Sequence, residues 1–219
     1  MPKLDIRLQA IFNEINDVKT IVDVGCDHGK LIVQAILLGK AEKGIAIDIS
    51  PYSLKKAQIL AKEYNVDEKI DFFVGDGFAP IQDKVSIAVI AGMGAREIVK
   101  IISSKQDIAE KYIFVPHQDA HILRRYLKEK NDYKIVKDYI IYEQKYYPII
   151  VAQKGINDYT DEEIFLGKNL PKSDFYEKWI AMRFKKIKNI IDKAGKNAMD
   201  DDLIKEWEVL NNGKIIGCV

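Results

Sequence analysis

Short apolar runs alternate with longer amphipathic stretches along most of the chain. The runs are rich in β-branched residues and predict seven strands, at Thr20–Val24, Gly44–Ile47, Ile70–Val74, Val85–Ile90, Tyr112–Val115, Tyr133–Ile141 and Tyr146–Gln153. Helical periodicity predicts four helices among them, at Leu31–Leu38, Ser53–Tyr64, Arg96–Ser103 and Ala120–Lys130. Because strands that alternate with helices pair in parallel through right-handed crossovers, we expect a doubly wound α/β sheet.

The last two predicted strands are connected differently. Only residues 142–145 separate them, which is too short for a helical crossover, so they should form an antiparallel hairpin. After residue 155 the pattern becomes helical. One long helix is predicted from the apolar stripe Phe175, Trp179, Met182, Ile187, Ile190, Ile191 and Ala194, and a second from Leu203–Leu210. We therefore expect two domains. The first is an α/β domain over residues 1–155, of the kind that carries a catalytic site, and the second is a coiled-coil-like helical hairpin over residues 156–219.

Composition narrows the class of protein. The chain has 219 residues, of which 47% are hydrophobic and 31% charged, and its net charge is +1. It has no apolar run of the roughly 18–20 residues needed to cross a bilayer, and polar residues follow Met1 too soon for a signal peptide. Cys26 and Cys218 are too few for a disulfide framework or a four-ligand zinc site. We expect a cytoplasmic protein with no resident metal and no membrane contact.

The turn after the first strand reads Asp23-Val-Gly-Cys-Asp-His-Gly29 and leads into a helix. Gly25 permits a tight turn with close backbone approach, and Gly29 lets the helix start near a ligand. A helix N-terminus ordinarily suits phosphate, but Asp23 and Asp27 would repel it. The acidic turn therefore favours a cationic ligand, with the amino group and sulfonium of S-adenosylmethionine as the best match. Taken alone, the turn also fits an ordinary capped β–α connection.

Acidic residues also end the next two strands. Asp48 follows the second strand, and its carboxylate can accept two hydrogen bonds from ribose hydroxyls, a spacing that also fits a nicotinamide cofactor. Asp76, within Gly75-Asp-Gly77, can accept from an adenine amino group. Either residue alone is also typical of a common turn. Acidic turns after three consecutive strands together predict one site for a cationic nucleoside.

The ends of the fourth and fifth strands supply the acceptor side of the predicted site. The fourth strand ends in Ile90-Ala-Gly-Met-Gly94, whose glycines leave room for a flat ligand beside the soft apolar Met93. The fifth is followed by His117 and Gln118, which can hydrogen-bond a base edge. A glycine-rich loop and a helix-capping or surface histidine are the plainer interpretations.

Together these segments resemble the bacterial tRNA (adenine-22-N1)-methyltransferase family. The likeness covers almost the whole chain: Asp23–Gly29, Gly75–Gly77, Ile90–Gly94, the N-terminal helix with Arg7 and Leu8, the closing strand Tyr146–Ala152 and the C-terminal helical hairpin. It implies a Rossmann-like class I methyltransferase sheet, mostly parallel with an antiparallel last strand. This chain departs from the family in having Val115-Pro-His117 where Gln-Pro-Asn is favoured, and in Gly29 and Lys30.

The resemblance implies methyl transfer from S-adenosyl-L-methionine to N1 of adenine 22 in the D-arm region of tRNA. The residues expected to contact the cofactor are Asp23, Gly25, Cys26, Asp27, His28, Gly29, Asp48, Ile49, Asp76, Gly77, Ala91 and Gly92. The catalytic candidates are Asp27, Gly92, Met93 and His117, with Asp27 or His117 accepting the proton that the methylated base loses. The candidates for substrate binding are Arg7, Gly94, Gln118, Arg124, Lys185 and Lys188.

Basic residues on the C-terminal helix predict the RNA contact. Residues 172–196 carry eight basic and three acidic side chains, a net charge of +5, and a second basic group consists of Arg124, Arg125, Lys128 and Lys130. A solvated helix face is the plainer interpretation. Two other functions stay open at this point: a methyltransferase acting on a protein or small molecule whose helices dimerise, and a non-catalytic RNA-binding scaffold. A monomer is favoured.

Overall fold

The computed structural model describes residues 1–156, 158–195 and 199–212. Within them a single sheet contains the strands β1 (Val18–Val24), β2 (Ala41–Asp48), β3 (Ile70–Val74), β4 (Val85–Ala91), β5 (Ala109–Val115), β6 (Tyr133–Glu143) and β7 (Lys145–Lys154). The helices are α1 (Ile6–Glu14), α2 (Lys30–Leu37), α3 (Pro51–Glu63), α4 (Ala95–Ser104), α5 (Ala120–Lys130), α6 (Asp161–Leu166), α7 (Tyr176–Ala194) and α8 (Asp201–Asn212). A 3-10 turn, Asp67–Lys69, precedes β3.

The sheet confirms the predicted topology. Its strand order is β3-β2-β1-β4-β5-β7-β6. The first five strands along the chain pair in parallel, and β7 is antiparallel to both β5 and β6. The hairpin turns at Gln144, whose backbone is left-handed at φ 59°. A turn this short cannot return the chain to the end of the sheet at which β6 begins, so β7 has to run antiparallel to β6.

Helices cover both faces of the sheet, which explains why β4 and the carboxyl-terminal half of β1 are mainly apolar and buried. On one face α1, α2 and α3 pack in a cluster that includes Ile11, Leu31, Val33, Leu54, Ile113 and Ile149. On the other face α4 and α5 pack in a cluster that includes Ile98, Ile102, Phe114, Leu123, Leu127 and Ile150. Each such side chain stabilises the fold by about 1.5–3 kcal/mol when fully buried. The carboxyl ends of the parallel strands are thereby held at one edge.

The predicted C-terminal helices α7 and α8 form and pack against each other. Their cluster includes Trp179, Ile180, Ile187 and Leu210, together with Ile140 of β6. Two residues of the predicted apolar stripe are not buried in it: Phe175 precedes the helix and is 36% exposed, and Met182 is 38% exposed. Of the predicted basic and cysteine residues, Lys196 and Cys218 lie outside the described residues.

The short helix α6 was not expected from periodicity. It begins with a capping box, in which the Thr160 hydroxyl accepts from the backbone of Glu163 and the Glu163 carboxylate accepts from the backbone of Thr160. Tyr159 and Ile164 join the cluster that covers the sheet. The apolar packing therefore continues across residue 155, and a division into two domains there stays a prediction.

Arg124 lies in the interior, so its predicted contact with substrate is wrong. Its guanidinium donates to both carboxylate oxygens of Asp138, at 2.7 and 2.9 Å, and to the carbonyls of Ile164 and Phe165. The Tyr159 hydroxyl donates to the same carboxylate at 2.8 Å. A buried charge needs such a full set of partners, and this one joins α5 and β6 to the segment leading to the C-terminal helices.

No helix in the described part of the chain has both the length and the apolar character needed to span a membrane.

Candidate active site

A cavity of about 620 Å³ opens at the carboxyl ends of the parallel strands. Its volume lies within the range of about 300–1,000 Å³ that is typical of sites for small ligands. Most of the predicted site residues line it: Arg7, Asp23, Gly25, Cys26, Asp27, His28, Asp48, Ile49, Asp76, Gly77, Ala91, Gly92, Met93 and His117. Segments that are far apart in sequence thus meet around a single cavity.

The turn after β1 is held to the end of β2 by backbone hydrogen bonds. The Gly25 and Cys26 amides donate to the Ile47 carbonyl at 2.8 and 3.1 Å. Gly25 has a left-handed backbone, at φ 75°, and a Cβ there would lie 3.0 Å from the terminal methyl of Met93. The left-handed backbone is what favours glycine here, while a Cβ would in addition displace the flexible end of the Met93 side chain.

Asp48 is the residue that fixes this edge of the cavity. One carboxylate oxygen accepts from the Asp27 amide at 2.9 Å, and the other accepts from the Ser50 amide at 2.8 Å. A carboxylate has about four acceptor positions, so each oxygen can still accept a hydrogen bond from a ligand. The side chain is largely buried, which leaves only the edge that faces the cavity open.

Three carboxylates, those of Asp23, Asp27 and Asp48, face the same cavity. Burial, and next the charge of Asp48, raise the pKa of Asp23 to about 7, while Arg7 acts in the opposite direction. Burial and the same acidic groups also raise the pKa of the Cys26 thiol, which therefore stays protonated. The cavity wall favours a positively charged ligand, because such a charge stabilises the ionised carboxylates.

The adenine side of the predicted nucleoside site is more open. Asp76 is exposed, and its carboxylate lies 3.9 Å from the ammonium of Lys100. Gly77 is buried, with a left-handed backbone at φ 57°, and a Cβ there would lie 3.1 Å from Ile101. His28, which also lines the cavity, places its ring nitrogen 3.5 Å from the Asp27 carboxylate and 3.2 Å from the ammonium of Lys56.

The backbone of Gly92, which has no side chain, forms part of the cavity wall on the side predicted to face the methyl acceptor. Its φ is 84°, and a Cβ there would lie 3.8 Å from the Arg7 guanidinium and 4.0 Å from the His117 ring. The His117 amide donates to the Met93 carbonyl at 2.9 Å, which ties the loop after β5 to the loop after β4. A planar group can therefore approach Gly92 beside two polar side chains.

His117 accepts a hydrogen bond from Arg7. Its Nε2 lies 3.2 Å from Nη1 of Arg7, and a guanidinium can only donate, so Nε2 must be the acceptor and the ring is neutral. Burial, together with the charges of Lys145 and Arg7, lowers the pKa of His117. In this arrangement the one lone pair of the His117 ring is engaged by Arg7, and the role of His117 as proton acceptor stays a prediction.

Arg7 and His117 also rest on a residue that sequence reasoning missed. The Tyr147 ring lies 5.7 Å from the Arg7 guanidinium carbon and 5.7 Å from the His117 ring. Arg7 also has a buried Nε with no hydrogen-bond partner among the described residues. Tyr147 stood within the family-like closing strand, but nothing in the sequence linked it to a helix 140 positions away.

Besides Arg124 and the two lysines of α7, three predicted residues lie outside the cavity wall. Gly29 packs α2 against α3, since a Cβ there would lie 2.7 Å from the Cβ of Ala57. Gly94 is the residue before α4, and Gln118 is exposed, with its carbonyl accepting from the Ala95 amide. The role of Gly29 is one of helix packing, whereas substrate contacts from Gly94 and Gln118 stay predictions.

The basic residues predicted for RNA contact divide into exposed and paired ones. Lys185 and Lys188 are exposed on α7. Arg183 instead forms two hydrogen bonds with the Glu206 carboxylate of α8. In the second basic group, Arg125 pairs with Asp202 and Lys128 with Asp161. The free positive charge of the helical region is thus concentrated on the lysines of α7.

The chain is similar in sequence to known proteins. Residues 4–150 match the family described as methyltransferase domain. The chain is similar to the tRNA (adenine(22)-N(1))-methyltransferase of Bacillus subtilis, with 29% identity over 181 residues, which cover 80% of this chain and 76% of the relative.

Two solved structures are similar in fold. One is the B. subtilis M1A22 tRNA methyltransferase TrmK, with 24% identity and a TM-score of 0.82, covering 97% of this chain and 96% of that chain. The other is M. capricolum TrmK in complex with S-adenosyl-homocysteine, with 22% identity and a TM-score of 0.81, covering 95% of this chain and 94% of that chain. At these identities the two structures establish the likeness of fold.

Proposed function

The chain belongs to the family of methyltransferase domains, and we propose that it transfers the methyl group of S-adenosylmethionine to N1 of adenine 22 of tRNA. The observation that carries the proposal is the meeting of three carboxylates around one cavity beside the bare backbone of Gly92. The similar B. subtilis protein is named for this reaction. Nucleoside analysis of tRNA treated with the protein and labelled cofactor tests it.

The residues of the cavity fit S-adenosylmethionine. The carboxylates of Asp23 and Asp27 disfavour phosphate and suit a sulfonium and an amino group. Asp48 keeps acceptor capacity for ribose hydroxyls, and Asp76 can accept from the adenine amino group. When bound, the cofactor supplies an electrophilic methyl group on a positively charged sulfur.

The protein contributes to the reaction mainly by aligning the adenine with the methyl group of the cofactor. N1 of adenine has a free lone pair and needs no base before it attacks, so the walls at Gly92 and Met93 act by holding the base in line. Such positioning is worth about 7–11 kcal/mol in well-oriented cases. Arg7 can donate to the acceptor nucleotide from the position that His117 gives it. Asp27 is exposed at the cavity and makes no such hydrogen bond with Arg7, so it is the better placed of the two candidates for the proton that the methylated base loses.

We expect cofactor affinity to rise with pH. In the free protein the pKa of Asp23 is raised to about 7, and a bound cation lowers it again, so binding is tighter once Asp23 has ionised. Between about pH 6 and about pH 8 the dissociation constant should fall by up to roughly tenfold. Titration calorimetry in two buffers of different ionisation enthalpy should also detect proton release near neutral pH. Asp23→Asn should flatten the profile; a flat profile for the unaltered protein contradicts this role.

We expect Lys185→Glu combined with Lys188→Glu to weaken tRNA binding and to leave cofactor affinity unchanged. Both lysines are exposed on α7, and removing one lysine–phosphate interaction lowers the slope of log K against log salt concentration by about one unit. Filter binding over a range of salt concentrations measures both effects.

The matched control for these two substitutions is Lys19→Glu with Lys43→Glu, two exposed lysines near the amino ends of β1 and β2, at the sheet edge away from the cavity. Equal losses of tRNA affinity in the two double variants would show that the effect comes from net charge alone. Unchanged tRNA affinity in the α7 pair would favour a protein or small-molecule acceptor.

A further inference from the structure

An aromatic step stands on the surface at the tip of the β6–β7 hairpin, formed by Tyr142, Tyr146 and Phe175. The Tyr142 ring lies 5.0 Å from that of Tyr146 and 6.0 Å from that of Phe175. Tyr142 and Phe175 are 42% and 36% exposed. Single exposed aromatics are ordinary, but here three neighbouring rings from two parts of the chain form one aromatic patch, in which the Tyr142 ring is tilted by 56° to that of Tyr146 and by 32° to that of Phe175.

The aromatic step lies at the same edge of the sheet as the cavity. Because β7 is antiparallel to β5 and pairs Ile150 with Phe114, residues of β7 before Ile150 extend past the carboxyl end of β5. Tyr147 already reaches the ring of His117, which lines the cavity, and Tyr146 is one residue further out. Successive strand residues point to opposite faces, so the step lies on the far face of the hairpin from His117.

The residues next to the aromatic step in the chain carry charges of both signs. Lys145, exposed at the turn, places its ammonium 5.0 Å from the centre of the Tyr147 ring, on the other face of the hairpin from the step. The neighbouring Glu143 carboxylate is turned to the start of α1, where it accepts from the Ile6 amide at 2.9 Å. Phe175 leads directly into α7, the helix with the exposed lysines, although Asp174 and Glu177 flank its start. The step thus lies at the start of the helix that carries the exposed lysines.

We propose that the aromatic step stacks an unpaired base of the tRNA that the lysines of α7 hold. The inference rests on the proposed function, since a base must leave its stack to reach the cavity, at a cost of a few kcal/mol, roughly. Stacking on an exposed ring is worth about 1–3 kcal/mol per base and offsets that cost. Three partly exposed rings are too small for a stable protein–protein interface, which needs about 800 Å² from each partner.

The test is a series of substitutions at Tyr142 in the full chain, with tRNA affinity, cofactor affinity and melting temperature measured for each. Tyr142→Ala should raise the Kd for unmodified tRNA about 5- to 100-fold. Tyr142→Phe should bind like the unaltered protein, because it keeps the π face. Tyr142→Leu keeps apolar bulk without a π face and should bind as weakly as the alanine variant. Cofactor affinity should be equal in all of them.

Unchanged tRNA affinity in Tyr142→Ala overturns the inference, and so does a leucine variant that binds as well as the phenylalanine variant at equal melting temperature. The second outcome would reassign the patch to ordinary apolar docking. Failure of the proposed function is distinguishable, because it shows as absence of methylated base with the unaltered protein. If that protein methylates tRNA and Tyr142→Ala does so with the same KM, the inference alone fails.

Discussion

Asp48→Ala is expected to raise the dissociation constant for S-adenosylmethionine by about 100-fold or more. A hydrogen bond to a charged group contributes about 1.5–3 kcal/mol, and this carboxylate is placed to accept two from the ribose. It also holds the Asp27 and Ser50 amides, at 2.9 and 2.8 Å, so its loss loosens the turn that faces the cofactor. Titration calorimetry measures the change directly.

Two further variants separate these contributions. Asp48→Asn keeps the shape and one acceptor oxygen, so it should lose less affinity than the alanine variant. Glu68→Ala removes an exposed carboxylate in the 3-10 turn before β3, away from the cavity, and should bind the cofactor normally. An Asp48→Ala variant that melts like the unaltered protein and binds S-adenosylmethionine equally well would remove Asp48 from the cofactor site.

Arg124→Met is expected to destabilise the protein by about 3–5 kcal/mol, because it leaves the Asp138 carboxylate buried without its charge partner. Both side chains are buried, and two hydrogen bonds of 2.7 and 2.9 Å join them. The free energy of unfolding, measured by urea denaturation, gives the size of the effect.

The adjacent Arg125 provides the control. It pairs with Asp202 at 2.7 Å, but both side chains are about one-third exposed, so Arg125→Met should cost no more than about 1 kcal/mol. Adding Asp138→Leu to Arg124→Met should recover part of the lost stability, since the orphaned charge is then removed as well. Equal costs for Arg124→Met and Arg125→Met would contradict the account of the buried pair.

The sheet could be predicted from the sequence because its cause is local. Apolar runs such as Val85–Ile90 are buried on both faces, and helical stripes between them leave little choice of topology. Arg124 shows where this fails: a basic residue on an amphipathic helix is ordinarily solvated. Its burial depends on Asp138 and on carbonyls 40 residues further along the chain, which no local pattern reveals. The six-residue α6 is too short for periodicity to detect.

The candidate site, like the fold, could be predicted from the sequence only in part. The convergence of Asp23, Asp48 and Asp76 follows from strand order alone, because neighbouring parallel strands end at one edge. The role of His117 does not follow, since it depends on Arg7, which is 110 residues away on a helix packed over the sheet. A histidine that looks like a base in the sequence is a hydrogen-bond acceptor for an arginine in the fold.

Methyl transfer to adenine 22 can be tested by incubating unmodified tRNA with the protein and methyl-labelled S-adenosylmethionine, then digesting the RNA and identifying the labelled nucleoside and its position. We expect 1-methyladenosine at position 22, and loss of that product when adenine 22 is replaced by guanine. Label in any other nucleoside, or unlabelled tRNA from a protein that binds the cofactor, would contradict this expectation.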